Sequence, residues 1–419
     1  MAQPLNPSDQ QRQRIVIVGA NFAGLTAAQH LGGAHAVTVI DRSPWFEWLP
    51  NIHELLSGVR RPAILRLSRP HLIARTGHRF VRATVAAIDV PAAKVITADG
   101  RDFGFDVCIV ALGGVNDTFG VPGADRYALP FKSVDQCHAI GRQLAMRARR
   151  PGRLSVVIVG GGLEGVEALG EVLRRYRHRH ELTVRVIEGA PTLLPGAPPA
   201  LDAAIRARCA PYHVRFHTRT LVTKVTKRRL FLNSGETIPS DVTIWTGGAT
   251  APALLQAAGL ADRSKQWAPV TETLQSRRFD NVFVIGDAAA LPRPISKQAY
   301  YAIQMGTCAA DNVERALTGQ PLRPFTPSAK PMLLSLGDLD TFLVTGDTVI
   351  AAPALAALKE AVFQITMPQV DPPTGVRASQ GLTARFTTAA TNLALPTVLS
   401  REALGRVCRL SILRRPGAA

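Results

Sequence analysis

Two segments of the chain share one pattern of apolar and polar positions. Residues 14–41 and 154–188 each begin with a short apolar stretch rich in β-branched residues. A glycine-rich turn, an amphipathic stretch and a second apolar stretch that ends in an acid follow in both. Apolar residues recur at helical spacing within each amphipathic stretch, and continuously apolar strands are typical of parallel sheets covered on both faces. The pattern therefore predicts two strand–turn–helix–strand units in tandem.

A second repeat follows each unit. Residues 99–114 read DGRDFGFDVCIVALGG and residues 234–248 read SGETIPSDVTIWTGG, so that Asp106 aligns with Asp241. Each predicts a turn and then a strand that ends in glycines. A third segment, NVFVIGDAAA at 281–290, predicts a buried strand followed by Gly286 and Asp287, and we assign it to the first unit.

These repeats predict an α/β fold. It consists of two doubly wound, Rossmann-like dinucleotide-binding domains, the second inserted in the first, and a C-terminal region. We place the first domain at 11–125 and 276–330, the inserted domain at 126–275 and the C-terminal region at 331–419. The change of pattern after about residue 330 sets the last boundary.

Composition narrows the class of protein. The 419 residues are 46% hydrophobic and 19% charged, which excludes a disordered chain, and no apolar run is long enough to predict a membrane-spanning helix. The formal net charge of +18 favours anionic ligands or surfaces. The basic run at 174–180 is nevertheless typical of a solvated helix end, where cations suit the helix dipole, so we predict no nucleic-acid partner.

Cysteine and histidine spacing excludes several kinds of site. The five cysteines form no CxxC and no close pair, which excludes a disulfide scaffold, a zinc ribbon and a thioredoxin-like motif. The histidines at 53, 71 and 78 have no metal-ligand spacing, and we predict no metal. The N-terminal sequence MAQPLNPSDQQRQR has no apolar core, so we expect no signal peptide and a cytoplasmic protein.

The glycine turns predict two dinucleotide sites. In a strand–GxGxxG–helix unit the glycines allow a tight turn, close approach of the pyrophosphate and close helix packing, and the acid ending the next strand binds ribose hydroxyls. Asp41 and Glu188 are those acids. In the first turn Asn21 stands where the second glycine is usual. Its amide can donate to a phosphate, and we expect nucleotide binding to survive the replacement.

The acids and the third segment distinguish the two nucleotides. Glu188 would repel a 2′-phosphate, and Gly189, Ala190 and Pro191 follow it without an arginine, which favours NADH over NADPH at the second site. Asp287, at a strand end, can hold the ribitol hydroxyls of a flavin. The first site is therefore predicted to bind FAD.

The motifs IVIVGANFAGL, FGVPG, VVIVGGGLEGVE, RVIEGAPTLLP, TIWTGG and VFVIGDAA together resemble those of the pyridine nucleotide–disulfide reductase superfamily. Within it, the sequence is most similar to the type II NADH dehydrogenases, which are single-chain NADH:quinone oxidoreductases, and to apoptosis-inducing-factor-like flavoproteins. The resemblance covers about residues 14–330 and implies a C-terminal membrane-associating region. It also implies that Glu167 lies near the nicotinamide and the flavin.

The resemblance weakens where the electron acceptor would bind. The family motif AQxAxQQG appears here as residues 299–306, AYYAIQMG, in which Gln304 matches while Tyr300 and Met305 replace glutamines. Disulfide reductases and NADH peroxidases carry cysteines soon after the flavin-binding acid, and residues 42–60 have none. Sulfide:quinone reductases share the first turn but need a cysteine relay.

We therefore expect an FAD-dependent NADH dehydrogenase with a quinone-like acceptor. The alternatives are a soluble reductase with a protein or small-molecule acceptor and a redox-sensing interaction protein. A homodimer is possible on this sequence. The predicted flavin-binding residues are Gly19, Asn21, Phe22, Ala23, Gly24, Asp41, Val85, Gly113, Gly286 and Asp287. The predicted NADH-binding residues are Gly160, Gly162, Leu163, Glu164, Gly165, Glu188 and Gly247. The predicted catalytic residues are Glu167, Gln304 and Tyr300.

Two further segments carry hypotheses. The aromatic residues Trp45, Phe46 and Trp48 fit either a flavin or acceptor wall or ordinary core packing. Residues 400–415 combine apolar and arginine positions like a basic amphipathic helix, which predicts attachment to an anionic membrane, at the inner face of the cell membrane. Residues 353–367 are also apolar, but Lys359 and Glu360 interrupt them.

Overall fold

A computed structural model describes residues 12–328, 330–371 and 411–413. Ten α-helices are formed: α1 Phe22–His30, α2 Glu54–Ser57, α3 Arg69–Ala74, α4 Ala124–Tyr127, α5 Val134–Ala148, α6 Leu163–Tyr176, α7 Pro199–Cys209, α8 Leu254–Ala257, α9 Ala299–Leu317 and α10 Leu355–Val370, all within the described ranges. Short 3-10 helices lie at Leu49–Asn51, Pro62–Leu65 and Gly286–Ala288.

The strands of the described ranges follow in chain order. They are β1 Arg14–Val18, β2 Ala36–Asp41, β3 Trp45–Glu47, β4 Arg66–Ser68, β5 Arg79–Arg82, β6 Val85–Asp89, β7 Lys94–Thr97, β8 Asp102–Gly104, β9 Val107–Val110, β10 Val115–Asn116, β11 Leu129–Pro130, β12 Leu154–Val159, β13 Leu182–Ile187, β14 Val214–His217, β15 Val222–Val225, β16 Arg229–Leu232, β17 Thr237–Pro239, β18 Val242–Trp245, β19 Ala249–Thr250, β20 Ala268–Pro269, β21 Val282–Val284, β22 Ala289–Ala290, β23 Met332–Leu336, β24 Asp340–Thr345, β25 Thr348–Ala351 and β26 Ser411–Leu413.

The first compact unit contains residues 12–47, 66–115 and 249–328. Its parallel sheet has the order β21-β9-β1-β2-β5, so β1 lies at the centre and the chain winds outward on both sides of it. The apolar residues of β1 are completely buried, as two-sided cover by helices requires. An antiparallel sheet, β6-β7-β8, completes this unit together with helices α1, α3 and α9. The third predicted segment supplies β21, which pairs with β9 as expected.

The second compact unit contains residues 48–65, 116–248, 330–371 and 411–413. Its parallel sheet repeats the first, with the order β11-β18-β12-β13-β14 around the central strand β12. Helix α6 follows β12 and packs closely on the β23–β24 hairpin at Gly170. A Cβ at this position would lie only 2.2 Å from the backbone nitrogen of Gly337. The fold class expected from the repeats is confirmed.

Each of the two units has the same hydrogen bond at the start of its central strand. The carboxylate of Asp106 accepts from the backbone nitrogen of Arg14 at 2.6 Å, at the start of β1. Asp241 accepts from the backbone nitrogen of Ser155 at 3.0 Å, at the start of β12. The aligned aspartates therefore fix the same strand end twice, which explains why both repeats carry them.

The units differ from the predicted boundaries in four places. Residues 48–65 belong to the second unit although both flanks belong to the first, and residues 116–125 also belong to the second. The chain returns to the first unit at residue 249, ahead of the predicted 276. Residues 330–371 and 411–413 are part of the second unit, in which strand β23 packs on α6.

The predicted helix at 400–415 is wrong for the part that the structure describes. Residues 411–413 form strand β26, which pairs antiparallel with β25. The remainder of that segment lies outside the described residues. In place of the predicted helix, the long C-terminal helix is α10 at 355–370, where the sequence showed an apolar stretch with two charges.

Candidate active site

The first glycine turn joins β1 to α1. Gly19 has a φ of +96°, and a Cβ there would lie 2.4 Å from the carbonyl oxygen of Ala111, so only glycine fits. A Cβ on Gly24 would lie 1.9 Å from the carbonyl oxygen of Gly19, so α1 packs tightly on the turn. The carboxylate of Asp41 accepts from the backbone nitrogens of Ala20 at 2.8 Å and Ser43 at 2.9 Å. The acid thus lies directly beside the turn, as the motif predicts.

Arg69, at the start of α3, covers this acid. Its Nη1 lies 2.6 Å from Asp41 Oδ1, and its Nε donates to the carbonyl oxygen of Ala20 at 2.8 Å. Burial lowers the pKa of Arg69, and the charge of Asp41 opposes that shift. Sequence reasoning missed this residue, because an arginine 28 positions beyond the acid has no spacing signal that links it to the turn.

The side-chain amide of Asn21 contacts strand β3. Its Nδ2 donates to the carbonyl oxygen of Glu47 at 3.1 Å, and its Oδ1 accepts from the backbone nitrogen of Glu47 at 3.0 Å. Both ends of the amide therefore bind β3, and donation from its second N–H to a phosphate remains a prediction. Its φ of −92° also requires no unusual backbone. Asparagine fits at the usual glycine position because its side chain binds the backbone of Glu47, away from the turn.

The second glycine turn joins β12 to α6 and has the same construction. Gly160 has a φ of +106° and packs on Gly247, whose Cα would lie 2.8 Å from an added Cβ. A Cβ on Gly165 would lie 1.9 Å from the carbonyl oxygen of Gly160. The carboxylate of Glu188 accepts from the backbone nitrogens of Gly161 at 2.6 Å and Ala190 at 2.7 Å.

The amino end of α6 remains open at one position. A Cβ on Gly162 would meet no atom of the described residues within 4 Å, so none of them fills the space beside this glycine. Leu163 and Glu164 form the first turn of the helix, and Glu164 pairs with Lys132 at 2.5 Å. Backbone N–H groups at a helix start attract phosphates, and the open space at Gly162 suits their approach.

A cavity of about 210 Å³ lies in the first unit at the third predicted segment. Gly286 and Asp287 line it, together with Lys297, Tyr301 and Met305 from the start of α9 and the loop before it. A Cβ on Gly286 would lie 3.1 Å from that of Ala23, which places this turn directly against α1. The cavity is mostly apolar with a few polar groups, which fits a flat aromatic ring such as that of a flavin.

The predicted catalytic residues Tyr300 and Gln304 lie on α9, whose residues Tyr301 and Met305 line the cavity. The centres of the Tyr300 and Tyr301 rings are 4.2 Å apart, and the rings are tilted by 47°. Gln304 Oε1 accepts from the backbone nitrogen of Ser328 at 3.0 Å. Lys297 was not predicted; its ammonium lies 3.8 Å from the ring centre of Trp267 and donates to the carbonyl oxygen of Asp287. Burial lowers the pKa of Lys297.

Two further predicted flavin residues lie in different settings. Gly113, after β9, has a φ of +64°, which favours glycine. Val85 begins β6 and pairs with Thr97 in the small antiparallel sheet. Phe22 and Ala23 occupy the first turn of α1. Roles for these residues in flavin binding remain predictions.

Glu167 lies on α6 in the second unit and is buried. Its Oε1 binds the ammonium of Lys359 on α10, and its Oε2 lies 3.2 Å from Nδ1 of His53. Burial raises the pKa of Glu167, and Lys359 opposes the shift. Burial, with the charge of Lys359 next, holds the pKa of His53 well below its ordinary value, so this histidine is neutral. Proximity of Glu167 to a nicotinamide remains a prediction.

The cysteines of the described residues are unsuited to redox catalysis. Cys108, Cys137 and Cys209 are buried, and Cys308 is half-buried. Burial raises the pKa of Cys108 and Cys209 to about 12 and that of Cys308 to about 11, which suppresses the reactive thiolate. Cys408 lies outside the described residues. Three of the four described cysteines are therefore buried packing residues.

Trp45, Phe46 and Trp48 were predicted to form either a wall of the flavin or acceptor site or part of the core. Phe46 is buried and packs edge-to-face on Phe22 at 5.1 Å, within the first unit. Trp48 packs on Phe363 of α10 at 5.7 Å, within the second unit. Both serve core packing. Trp45 is 42% exposed.

The paired turns agree with the comparisons with known proteins. Residues 13–306 match the pyridine nucleotide-disulphide oxidoreductase family. The chain belongs to this family. A type II NADH:quinone oxidoreductase of Staphylococcus aureus is 26% identical over 397 residues, which cover 85% of this chain and 96% of that relative. Family members bind FAD and a pyridine nucleotide, and the two turns account for both cofactors.

Solved structures show the same fold. NDH2 of Plasmodium falciparum, in complex with NADH, superposes with a TM-score of 0.78 at 15% identity over 90% of this chain and 98% of that one. The sulfide:quinone oxidoreductase of Aquifex aeolicus superposes with a TM-score of 0.71 at 17% identity over 97% of this chain and 100% of its own. Both of these solved structures therefore share the fold of this chain.

Proposed function

We propose that this flavoprotein is an NADH:quinone oxidoreductase of the type II class. The first turn, Asp41 and the cavity at Asp287 would hold FAD, which supplies hydride acceptance and electron transfer to the second substrate. The second turn and Glu188 would bind NADH. The observation that carries the proposal is the duplicated turn with a carboxylate. In the first unit a third glycine segment and a cavity of about 210 Å³ accompany the turn.

Glu188 supports NADH as the electron donor. The carboxylate is fixed by two backbone N–H groups beside the open Gly162, where the adenosine ribose of a nucleotide on this turn would lie. Among the described residues, no arginine pairs with it. A 2′-phosphate would therefore meet an uncompensated negative charge.

A quinone is the acceptor that the relatives favour. The Staphylococcus aureus relative is named for that activity and is matched over nearly its whole length. The four cysteines of the described residues have raised thiol pKa values or are buried, which argues against a disulfide or sulfide substrate, since both chemistries need a reactive thiolate. The replacements Tyr300 and Met305 then shape how the quinone is received.

The outer face of α10 supports attachment to a membrane. Leu358, Val362 and Ile365 lie at helical spacing and are 45%, 45% and 55% exposed. Lys359 and Glu360, which seemed to interrupt this segment, point inward to ion pairs, so they leave the apolar stripe continuous. No helix in the described part of the chain is both long and apolar enough to cross a bilayer. The stripe would therefore lie on the surface of the bilayer.

One comparison of acceptors tests the activity. Purified protein should oxidise NADH with short- and long-chain quinones, and ferricyanide, oxygen and a ferredoxin are measured beside them. Quinones should be the best acceptors, and Asp287→Ala should lower flavin occupancy. Turnover with ferredoxin but with no quinone would replace this proposal with a soluble reductase. Slow reoxidation with every acceptor would indicate a redox sensor.

A variant of α10 tests membrane attachment. Leu358, Val362 and Ile365 are changed together to serine, and co-sedimentation with anionic vesicles is measured. Binding should fall markedly, while Leu221→Ser, which changes another exposed leucine of the same unit, should leave it as it is. Equal sedimentation of both variants would assign the attachment to another part of the chain. Homodimer formation, also predicted, is tested by the mass in solution.

A further inference from the structure

Arg185 is a buried cation in the second unit. It lies on β13 and is 9% exposed, yet its Nε and Nη1 are buried and form no hydrogen bond with any of the described residues. A guanidinium stays charged in proteins and carries five N–H donors. Buried donors that lack acceptors are costly, so an anion bound to Arg185 would stabilise the folded protein.

The sheet places two more arginines beside Arg185. Its neighbours in register are Val157 of β12 on one side and Arg215 of β14 on the other. Residues in register on parallel strands point to the same face of a sheet, so Arg185 and Arg215 lie side by side. Arg153, just before β12, donates from Nε to Oγ1 of Thr183 at 3.4 Å. Thr183 is two residues before Arg185 and therefore shares its face, which brings all three guanidiniums to one patch.

The charges that act on Arg185 are mostly of its own sign. Burial lowers the pKa of Arg185 most, the charges of Arg153 and Arg215 lower it further, and the charge of Glu236 opposes these shifts. Glu236 lies in the turn before β17, and its side chain is 51% exposed. Three arginines against one glutamate leave an excess of two positive charges in this patch.

His217 lies at the same patch. It is two residues after Arg215 on β14, and its Nδ1 is 3.8 Å from Oε2 of Glu236. Its Nε2 is buried and has no hydrogen-bond partner in the described part of the chain. Burial lowers the pKa of His217, the charge of Glu236 opposes that shift, and Arg185 and Arg215 add to it. The ring is therefore neutral at neutral pH, and its Nε2 can donate to an anion.

The patch lies at an edge of the sheet. Strand β14 is the last in the order β11-β18-β12-β13-β14, and the side chains of Arg153 and Arg215 are exposed. Ile187, two residues after Arg185 on the same face, belongs to an apolar core that includes residues of β15, β16 and β17. Arg185 therefore lies at the margin of this core, between the covered part of the sheet and its exposed edge.

We propose that Arg153, Arg185 and Arg215 bind a phosphate monoester dianion, at a site separate from the glycine turn of this unit. Two negative charges match the local excess, and phosphate oxygens accept from several guanidinium groups at once. The ester supplies the acceptors that Nε and Nη1 of Arg185 lack. The turn at Gly160 lies beyond the other end of β12, about 20 Å from Arg153 at the usual rise per strand residue. A soluble phosphorylated metabolite and a phosphatidic acid headgroup both carry this group.

Calorimetric titration tests the site on the FAD-loaded protein with saturating NAD⁺, so that phosphate does not enter the glycine turns. Inorganic phosphate and methyl phosphate should each bind the wild type at a single site per chain. Arg185→Met and Arg215→Met should each weaken binding about tenfold or more, because each removes a charged set of donors. Arg142→Met, which removes an exposed arginine of α5 in the same unit, is the matched control and should bind as the wild type does.

Thermal unfolding gives a second readout that needs no turnover. Without phosphate, Arg185→Met should have a higher Tm than the wild type, because methionine keeps the packing and removes an unpaired buried charge. Added phosphate should raise the Tm of the wild type, since the ligand binds only the folded state. Arg185→Met should gain only the general increase that phosphate gives a folded protein. Arg142→Met should respond as the wild type does.

Vesicles that contain phosphatidic acid distinguish the two sources of the ester. Sedimentation that falls in Arg215→Met but not in Arg142→Met assigns the site to a lipid headgroup. Sedimentation equal in both, with methyl phosphate bound in solution, assigns it to a soluble ligand. A wild type that binds neither methyl phosphate nor these vesicles overturns the site, as does equal phosphate binding by the wild type and both site variants. An Arg185→Met protein that is less stable than the wild type without phosphate overturns the unpaired charge.

Discussion

The two glycine turns have the same backbone and different side-chain surroundings. In each, an acid at the end of the second strand binds two backbone N–H groups, and a helical glycine packs against the first glycine of the turn. Around the first turn, Arg69 neutralises Asp41 and Asn21 fastens β3. Around the second, Glu188 has no paired arginine in the described chain, and Gly162 faces open space.

The difference matches the two ligands proposed. A cofactor that stays bound benefits from a turn whose charge and neighbouring strand are already fixed, because less is ordered when it binds. A co-substrate must leave after each turnover, so a turn with an open front and a single discriminating carboxylate suits it. The comparison leads us to expect that the motif provides the phosphate site, while residues outside the motif determine how long the nucleotide remains bound.

The largest expected effects come from the two helical glycines. Gly24→Ala and Gly165→Ala each place a Cβ 1.9 Å from a carbonyl oxygen, so the helix must move away from its turn. We expect each to cost about 3 kcal/mol or more of unfolding free energy. Gly24→Ala should lose flavin, whereas Gly165→Ala should keep flavin and lose reduction by NADH. Flavin absorbance and thermal unfolding measure both.

Open glycines provide the matched controls. Gly33→Ala in the first unit and Gly162→Ala in the second add a Cβ that meets nothing within 4 Å, so stability should change little. Gly162→Ala should still raise the KM for NADH, because the space belongs to the nucleotide. If Gly165→Ala and Gly162→Ala lost flavin to the same degree as Gly24→Ala, the assignment of separate ligands to the turns would be contradicted.

The next largest effect is expected for Arg69, which pairs with Asp41 beside the first turn. Arg69→Met keeps the volume and removes the charge, which leaves the Asp41 carboxylate without its buried partner and the Ala20 carbonyl without its donor. Breaking such a pair costs about 3 kcal/mol. Flavin should dissociate faster on dilution, and NADH affinity should not change. Arg42→Met, at the position after Asp41, is the control, and equal flavin loss in both would deny Arg69 a special role.

Sequence patterns sufficed for the backbone of both sites. Apolar runs, turn glycines and terminal acids are local signals, and they correctly predicted β1, α1, β12, α6 and the aligned aspartates at 106 and 241. The side-chain cover was not predictable in this way. Arg69 and the Lys359–Glu167 pair join residues that lie tens to hundreds of positions apart, and an ion pair formed by folding leaves no periodicity in the sequence.

The same limit explains the misinterpreted C-terminal segment. Lys359 and Glu360 looked like an interruption of an apolar stretch, because one sequence does not show which side of a helix faces inward. The structure turns both toward buried partners, so the stretch is an apolar outer face with a charged inner one. An inverted amphipathic helix of this kind is recognised only once its neighbours are known.

A smaller effect tests the bare acid of the second turn. NADH should reduce the flavin at least about tenfold faster than NADPH at low concentration, which needs only ~1.4 kcal/mol. Glu188→Ser should narrow that gap, chiefly by improving NADPH, because the repulsion of a 2′-phosphate disappears. Asp41→Ser should leave the NADH-to-NADPH ratio unchanged. Stopped-flow bleaching gives the rates, and equal wild-type rates with the two nucleotides would show that Glu188 does not face the ribose.

The smallest expected effect comes from replacing Asn21, the residue at which the first turn differs from the glycine motif. Asn21→Gly restores the usual glycine and removes two hydrogen bonds to Glu47, so we expect a loss of about 1–2 kcal/mol in unfolding free energy. Flavin affinity should fall only slightly, because the amide binds β3 and leaves the phosphates to the backbone.

Gly162→Asn is the reciprocal change, and it should weaken NADH binding far more than Asn21→Gly weakens FAD binding. The asymmetry is expected because the second turn has no strand like β3 to take up the side chain. If Asn21→Gly instead released the flavin while stability held, the amide would have to contact the cofactor after all, and the two turns would differ in how they bind phosphate.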